Sequence, residues 1–286
     1  MTNYGLSRTT SERMFLRLLE WWTSRRNVAI HLDEFVGSPL LEVFPFSERT
    51  PVQTMLEVKQ KAARLQELIH FHPRHLEAVG TSPNVPGFSA NLDNMIRTWI
   101  ASRGSQFMWA EGRATTFEQS MTLPQVGMRL CGYAHRVGIP VAIYSPHGHR
   151  NIGSESPDAG HTPSIIDLLY TLIRQLVIYL PEEFERPGTF HESNFRKLNG
   201  KPGSIVSAID MLVSLFVFLP YDLVCVIDGI DKLDTSKSMR HLRDLLQVLK
   251  KEGEQRKIKI LFTTSGPSRL LPEFVPDAQH TTNVFR

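Results

Sequence analysis

The chain has 286 residues, which is enough for one large domain or two modest ones. Its composition, with 41% hydrophobic and 21% charged residues, excludes an intrinsically disordered chain. A net charge of +3 is too small to imply a nucleic-acid or membrane surface, so we expect neither nucleic acid nor a membrane among the partners.

The sequence predicts a soluble protein of the cytoplasm. Its first residues, MTNYGLSRTTSER, are polar, unlike a secretory signal. Its longest apolar stretch, residues 211–219, is far shorter than the roughly 20 residues that span a bilayer. The two cysteines, Cys131 and Cys225, lie in apolar surroundings, which favours buried thiols over a disulfide.

The first hundred residues have the pattern of helices interrupted by loops. Thr9 and Glu12 fit a capping box at the start of the first helix. Four large apolar side chains follow at helical spacing: Phe15, Leu18, Leu19 and Trp22. A second helix is predicted over residues 53–70, and a short one over residues 91–101.

A turn-rich linker, TSPNVPGFSA, precedes the short helix and divides the chain in two. We expect a helical N-terminal segment over residues 1–90 and a second domain over residues 91–286. Because the large apolar side chains of the first helix need burial, residues 10–26 are expected to pack on the second domain or on a partner.

Strands and helices alternate from residue 105 onward, which predicts an open α/β sheet. The predicted strands are short apolar runs, typical of parallel strands that are covered on both faces: 106–111, 140–144, 223–228 and 258–264. The predicted helices are 122–136, 164–179, 204–219 and 237–251. Residues 181–203 are expected to form a long surface excursion.

A carboxylate, Asp228, ends the apolar strand LVCVID and is followed by Gly229 and Asp231. The carboxyl end of a buried parallel strand lies at the rim where α/β sheets bind ligands. In P-loop NTPases, a carboxylate in this position holds Mg²⁺, directly or through water. Asp228 is therefore a candidate Mg²⁺ ligand, with a turn-capping role as the alternative.

Together with the next predicted strand, which ends in TTS at residues 263–265, the segment resembles the STAND class of signal-transducing NTPases. The closest branch is the NACHT type that is abundant in filamentous fungi, in which one strand ends D-G/A-h-D-E and a later one T-S-R or T-T-S. Here DGID at residues 228–231 matches the first ending, with Lys232 in place of the glutamate, and Gly266 replaces the arginine of the second. The resemblance covers roughly residues 91–271. It implies a P-loop NTPase-like sheet with the strand order 5-1-4-3-2, in which the fifth strand is missing or irregular.

By this resemblance, FMWAEGRATTFEQS at residues 107–120 occupies the place of the phosphate loop. The working motif is G-x-x-x-x-G-K-[ST], but counting from Gly112 places Phe117, Glu118 and Gln119 at the last three required positions. Phe117 would keep backbone N–H groups away from phosphate. Glu118 would repel it by about 4 kcal/mol at about 4 Å in an effective dielectric of about 20. We therefore expect weak or no ATP binding.

A second glycine-rich stretch, GKPGS at residues 200–204, is not expected to bind phosphate. It follows no apolar strand and lacks the G-K-[ST] ending. Ser204 is instead predicted to cap the helix over residues 204–219.

The sequence favours a non-enzymatic regulatory or interaction module with protein partners, built on a degenerate NTPase fold. The alternative is a signalling ATPase with an altered phosphate loop. In that case Asp228 would hold Mg²⁺, Asp231 would be the catalytic carboxylate, and the nucleotide would contact Gly112, Arg113, Thr115, Thr116, Ser120 and Thr264. A third possibility is a structural domain whose sheet rim binds no ligand.

Overall fold

The structure, a computed structural model, describes residues 52–69, 96–102, 106–112, 123–146, 164–185 and 190–282, with a few residues omitted within the second and fourth of these ranges. The predicted helix over residues 10–26 and most of the predicted segment 1–90 lie outside the described residues.

The described part of the chain alternates between strands and helices. The strands are β1 (Val52–Thr54), β2 (Gln106–Glu111), β3 (Val141–Tyr144), β4 (Glu183–Glu185), β5 (Asp222–Asp228), β6 (Lys257–Thr264) and β7 (His280–Thr282). The helices with described ends are α1 (Met55–Ala63), α2 (Ile165–Leu176), α3 (Glu192–Lys197), α4 (Ile205–Phe218) and α5 (Met239–Gln255). Further helical residues lie at 96, at 98–100 and between 123 and 134.

Five of the strands form one parallel sheet in the order β3-β5-β6-β2-β7. The four strands predicted from apolar runs are confirmed, each to within one residue at either end. Their order is also the expected one, since β2 lies next to β6 and β5 lies on the far side of β6. The three residues of β7 supply a short fifth strand beside β2. The fold is therefore an open parallel α/β sheet flanked by helices.

The sheet is covered on both faces because successive side chains of each strand point to opposite sides. In β2, Phe107 and Trp109 join one hydrophobic cluster, whereas Met108 and Ala110 join another. The first cluster contains side chains of α2, α4 and α5, and the second contains side chains from the helical residues at 96–100 and 123–134. This two-sided burial explains why the central strands are apolar at nearly every position.

Residues 181–203 run along the surface, as the sequence predicted, since most of those that the structure describes are exposed, but the segment is also anchored in the core. Four of their apolar side chains are buried in the first cluster: Phe184, Phe190, Phe195 and Leu198. This anchoring was not predicted, because single large side chains in a polar segment give no periodic signal, although each one removes a large apolar area from water.

Residues 52–69 pack on the face of the sheet that the first cluster covers. β1 pairs with β4 in an antiparallel ribbon. Thr54 caps α1 by accepting a hydrogen bond from the N–H of Glu57 at 3.3 Å. Four side chains at helical spacing are buried in the first cluster: Val58, Ala62, Leu65 and Ile69. This part of the chain therefore shares a core with the sheet.

The structure also tests three smaller predictions. Ser204 precedes α4, as predicted, but its side chain makes no capping bond to the helix, so that part of the prediction is wrong. Its hydroxyl instead donates to the carbonyl oxygen of Lys201 at 2.6 Å and lies 2.7 Å from Tyr170 Oη. Cys131 and Cys225 are buried free thiols, as expected. Within the described residues, no helix has both the length and the apolar character needed to cross a membrane.

Candidate functional site at the carboxyl edge of the sheet

The parallel arrangement brings the candidate residues of three strands to one edge of the sheet. Asp228 ends β5 and lies opposite Thr263 of β6. Thr264 ends β6 and lies opposite Glu111 of β2. The N–H of Gly112, which follows Glu111, donates to the carbonyl oxygen of Thr264 at 2.9 Å. Gly112, Thr264 and Asp228 therefore lie on adjacent strand ends, as the sequence predicted.

The Asp228 carboxylate links the ends of three strands. It is 3% exposed, and its two oxygens accept hydrogen bonds from different hydroxyls, Thr263 Oγ1 at 2.5 Å and Ser145 Oγ at 2.7 Å. Burial raises the pKa of the Asp228 carboxyl above its ordinary value, and the two hydroxyl donors and the charge of Lys232 partly offset that rise. The carboxylate is thus already bonded within the protein.

Gly229 turns the chain sharply after Asp228. Its φ of 68° and ψ of 31° lie in the left-handed region, which glycine enters without the penalty of a Cβ atom. A Cβ atom at this position would stand 2.9 Å from Cγ of Pro146. The N–H of Gly229 donates to the carbonyl oxygen of Thr263 at 2.8 Å, which fixes the start of the 3-10 turn Ile230–Lys232.

The turn carries Asp231 to the end of the neighbouring strand. Ser265 Oγ donates to Asp231 Oδ2 at 3.1 Å, whereas Oδ1 is buried and has no hydrogen-bond partner among the described residues. Burial raises the pKa of the Asp231 carboxyl, and the charge of Asp228 adds to that rise, against the effects of Ser265 and Lys232. Asp231 Oδ1 is therefore a buried oxygen that can accept a hydrogen bond or bind a cation.

Asp234 was not singled out from the sequence, although it organises the loop after β6. Its Oδ2 atom accepts hydrogen bonds from Ser268 Oγ at 3.1 Å, from the N–H of Leu270 at 3.2 Å and from the N–H of Arg269. The spacing DGIDKLD at residues 228–234 places this carboxylate one turn beyond Asp231, but its partners are 34 to 36 residues away in the chain. No local pattern indicates such a contact.

A second group that sequence reasoning missed lies where β7 meets β2. The His280 ring stacks on Trp109 with centroids 3.6 Å apart and planes 5° apart. His280 Nε2 also lies 3.1 Å from Glu111 Oε2, and Glu111 is buried. On the other side, Trp109 Nε1 donates to Thr264 Oγ1 at 2.8 Å. The hydroxyl of Thr264, a predicted nucleotide contact, is thus engaged by a neighbouring strand.

Four other predicted nucleotide contacts lie outside the described residues: Arg113, Thr115, Thr116 and Ser120. Carboxylate and hydroxyl oxygens such as those of Asp228 and Asp231 are ligands that Mg²⁺ prefers. In the described residues, however, no group of three or more His, Cys, Asp and Glu side chains is placed to hold a metal ion. Asp231 Oδ1 is the atom of the two carboxylates that fits a cation best, because each of the other three oxygens accepts a hydrogen bond from a hydroxyl.

Comparison of the sequence with known protein families finds no match, and no curated protein matches it. The resemblance to NACHT-type proteins therefore depends on the strand endings quoted above, and the function has to be argued from the geometry of this edge.

Proposed function

We propose that the protein is a non-enzymatic regulatory or interaction module, built on a degenerate STAND/NACHT-like NTPase fold, with weak or no ATP binding. The observation that carries the proposal is the Asp228 carboxylate, whose two oxygens accept hydrogen bonds from the hydroxyls of Ser145 and Thr263. Phe117, Glu118 and Gln119 stand at required positions of the phosphate loop, so a conventional Mg·ATP site lacks its phosphate-binding half, and the Asp228 carboxylate is already engaged within the protein.

The energetics of Asp228 support this proposal. A buried carboxylate is costly unless hydrogen bonds stabilise it, and here both oxygens have them from within the protein. Direct binding of a cation would either displace one of these short bonds or use the second lone pair of an oxygen that already accepts one. Asp228 therefore acts first as a structural link between β3, β5 and β6.

One observation favours the alternative of a signalling ATPase. Asp231 Oδ1 is buried without a partner among the described residues, and buried polar atoms of native proteins are seldom left without one. A Mg²⁺-bound water or a donor from a ligand would satisfy it. This alternative requires nucleotide to be held by the altered loop, with Arg113 in place of the missing lysine.

A thermal unfolding experiment with MgATP separates the two functions. A ligand present at about 100 times its Kd adds about 2.7 kcal/mol to the stability of the folded state. For a chain of this size, that corresponds to a rise in Tm of roughly 5 to 11 °C. We expect no shift for the wild-type protein at millimolar MgATP. A shift of several degrees that disappears in Asp231→Asn would establish the alternative.

A repaired phosphate loop tests whether the sheet is a degenerate NTPase scaffold. Phe117→Gly, Glu118→Lys and Gln119→Ser together restore the second half of the motif, and the triple variant is expected to gain Mg²⁺-dependent ATP affinity in calorimetry. Glu118→Lys alone is the matched control, because Phe117 would still keep the backbone from the phosphate. A well-folded triple variant that binds no ATP would contradict the assignment of this loop.

A further inference from the structure

We propose that an exposed apolar stripe on α4 is the docking surface for residues 10–26 of the same chain. The stripe consists of Val206, Asp210, Val213 and Val217. Its three valines are 59%, 37% and 62% exposed. Their spacing of four, three and four residues places all four side chains on one face of the helix, along about 16 Å.

The stripe is unusual because α4 is apolar on almost every side. Its other faces are buried in the core through residues such as Met211, Leu212, Leu215 and Phe216. A surface helix normally carries polar and charged residues on its outer face, and a helix that is apolar all round is normally buried. The outer face of α4 thus has the composition of a helix with a further layer over it.

The position of the N-terminal part of the chain makes it the natural occupant. The chain enters β1 at Val52, after 51 preceding residues. In the β1–β4 ribbon, Gln53 lies opposite Phe184, whose ring packs 4.9 Å from that of Phe218 at the carboxyl end of α4. The N-terminal part therefore joins the domain beside one end of the stripe.

The sequence of residues 10–26 complements the stripe. Phe15, Leu19, Trp22 and Arg26 have the same spacing of four, three and four residues as Val206, Asp210, Val213 and Val217, and therefore share one face of the predicted helix. Seventeen helical residues extend about 25 Å, against about 21 Å for α4. The linker over residues 27–51 can extend about 80 Å, far more than the length of α4.

Charge selects the antiparallel orientation of the two helices. In that orientation, with Leu19 opposite Val213, Arg26 lies level with Val206, one helical turn from Asp210 and within reach of its carboxylate for an extended arginine side chain. The parallel orientation would place Arg26 near the carboxyl end of α4, where Arg256 already donates to the carbonyl oxygens of Val217 at 3.1 Å and Leu219 at 2.7 Å. A symmetric pairing of two copies through the stripe would bring two Asp210 carboxylates together in an apolar interface, which is unfavourable.

Disulfide trapping in the full chain tests the contact directly. With Leu19→Cys and Val213→Cys, mild oxidation is expected to give a reducible link within one chain, seen as faster migration in non-reducing electrophoresis. The native thiols of Cys131 and Cys225 are buried and do not compete. Leu19→Cys with Leu56→Cys is the matched control, because Leu56 is 60% exposed on α1. A link only between two chains, no link, or equal linking in the control would overturn the proposal.

Chymotryptic cleavage after Trp21 and Trp22 gives an independent measure of docking in the full chain. Val213→Asp is expected to speed cleavage by about tenfold or more, since opening of the contact exposes these sites, whereas Leu56→Asp leaves the rate unchanged. Asp210→Arg is also expected to speed cleavage, and adding Arg26→Asp is expected to slow it again. Equal rates in wild type and Val213→Asp, or acceleration by Leu56→Asp alone, would contradict docking on the stripe.

Discussion

Replacing Lys259 with methionine is expected to change how the stability of the protein depends on pH. Lys259 is fully buried in β6, and its Nζ atom donates to three oxygens, Trp99 O at 2.9 Å, Ser102 O at 3.0 Å and Ser102 Oγ at 2.7 Å. Burial, with a smaller effect from the charge of Lys257, lowers the pKa of Lys259 from 10.5 to about 8.

The sign and size of the effect follow from this shift. The folded state binds the Lys259 proton less tightly than the unfolded state, so the buried charge opposes folding at pH values below about 8. Between the two pKa values, stability rises by about 1.4 kcal/mol per pH unit. The step from about pH 7 to about pH 9 therefore adds about 1.3 kcal/mol through this one group.

Urea unfolding at several pH values measures this contribution. Lys259→Met is expected to be less stable than wild type at pH 7, because the carbonyl oxygens of Trp99 and Ser102 lose their donor at about 1 to 3 kcal/mol each, offset in part by burial of the methionine. The decisive quantity is the free energy of unfolding of the wild type minus that of the variant. It should grow by about 1.3 kcal/mol between about pH 7 and about pH 9. The exposed Lys251→Met is the control. A difference that stays constant, or shrinks as pH rises, would refute the reasoning.

Three further predictions concern the carboxyl edge. Asp228→Ala should lower the free energy of unfolding by about 2 to 6 kcal/mol in urea titrations, because it leaves the buried hydroxyl of Thr263 and the half-buried hydroxyl of Ser145 without their acceptor, whereas Asp228→Asn should cost less. Gly229→Ala should cost more than Gly138→Ala by differential scanning calorimetry, since both glycines have positive φ but only at Gly229 would a Cβ atom collide with a neighbour. His280→Ala should speed hydrogen exchange of the β7 amides by removing the stack on Trp109, with α5 as the unaffected reference.

The sheet could be predicted from the sequence because its signal is local. Each central strand is a run of apolar residues bounded by polar ones, and two-sided burial requires such a run. β7 gave no such signal, since its three residues, His280, Thr281 and Thr282, are polar or weakly apolar. Its place in the sheet depends on the contacts of His280 with Trp109 and Glu111, which a linear pattern does not show.

For the candidate site, the sequence predicted where the residues lie but not what they bond to. Asp228 and Thr264 could be placed at one edge because parallel strands align their carboxyl ends. What each side chain bonds to could not be predicted, since the partners are distant in the chain: Glu111 and His280 are separated by 169 residues, and Trp109 and Thr264 by 155. Such pairs depend on tertiary packing and carry no spacing that a sequence pattern could detect.

The polar groups at the carboxyl edge of the sheet bond to one another, and this pairing can stabilise the fold without a bound nucleotide. Asp228 bonds to two hydroxyls, Thr264 to Trp109, and Glu111 to His280, so the buried polar atoms of three strand ends are satisfied by one another. A site whose buried groups await a ligand would lose stability when that ligand is lost, because unpaired polar atoms are costly to bury. Here only Asp231 Oδ1 bears such a cost among the predicted site residues that the structure describes. On the proposed function, internal pairing would therefore hold this edge of the sheet together without a bound nucleotide.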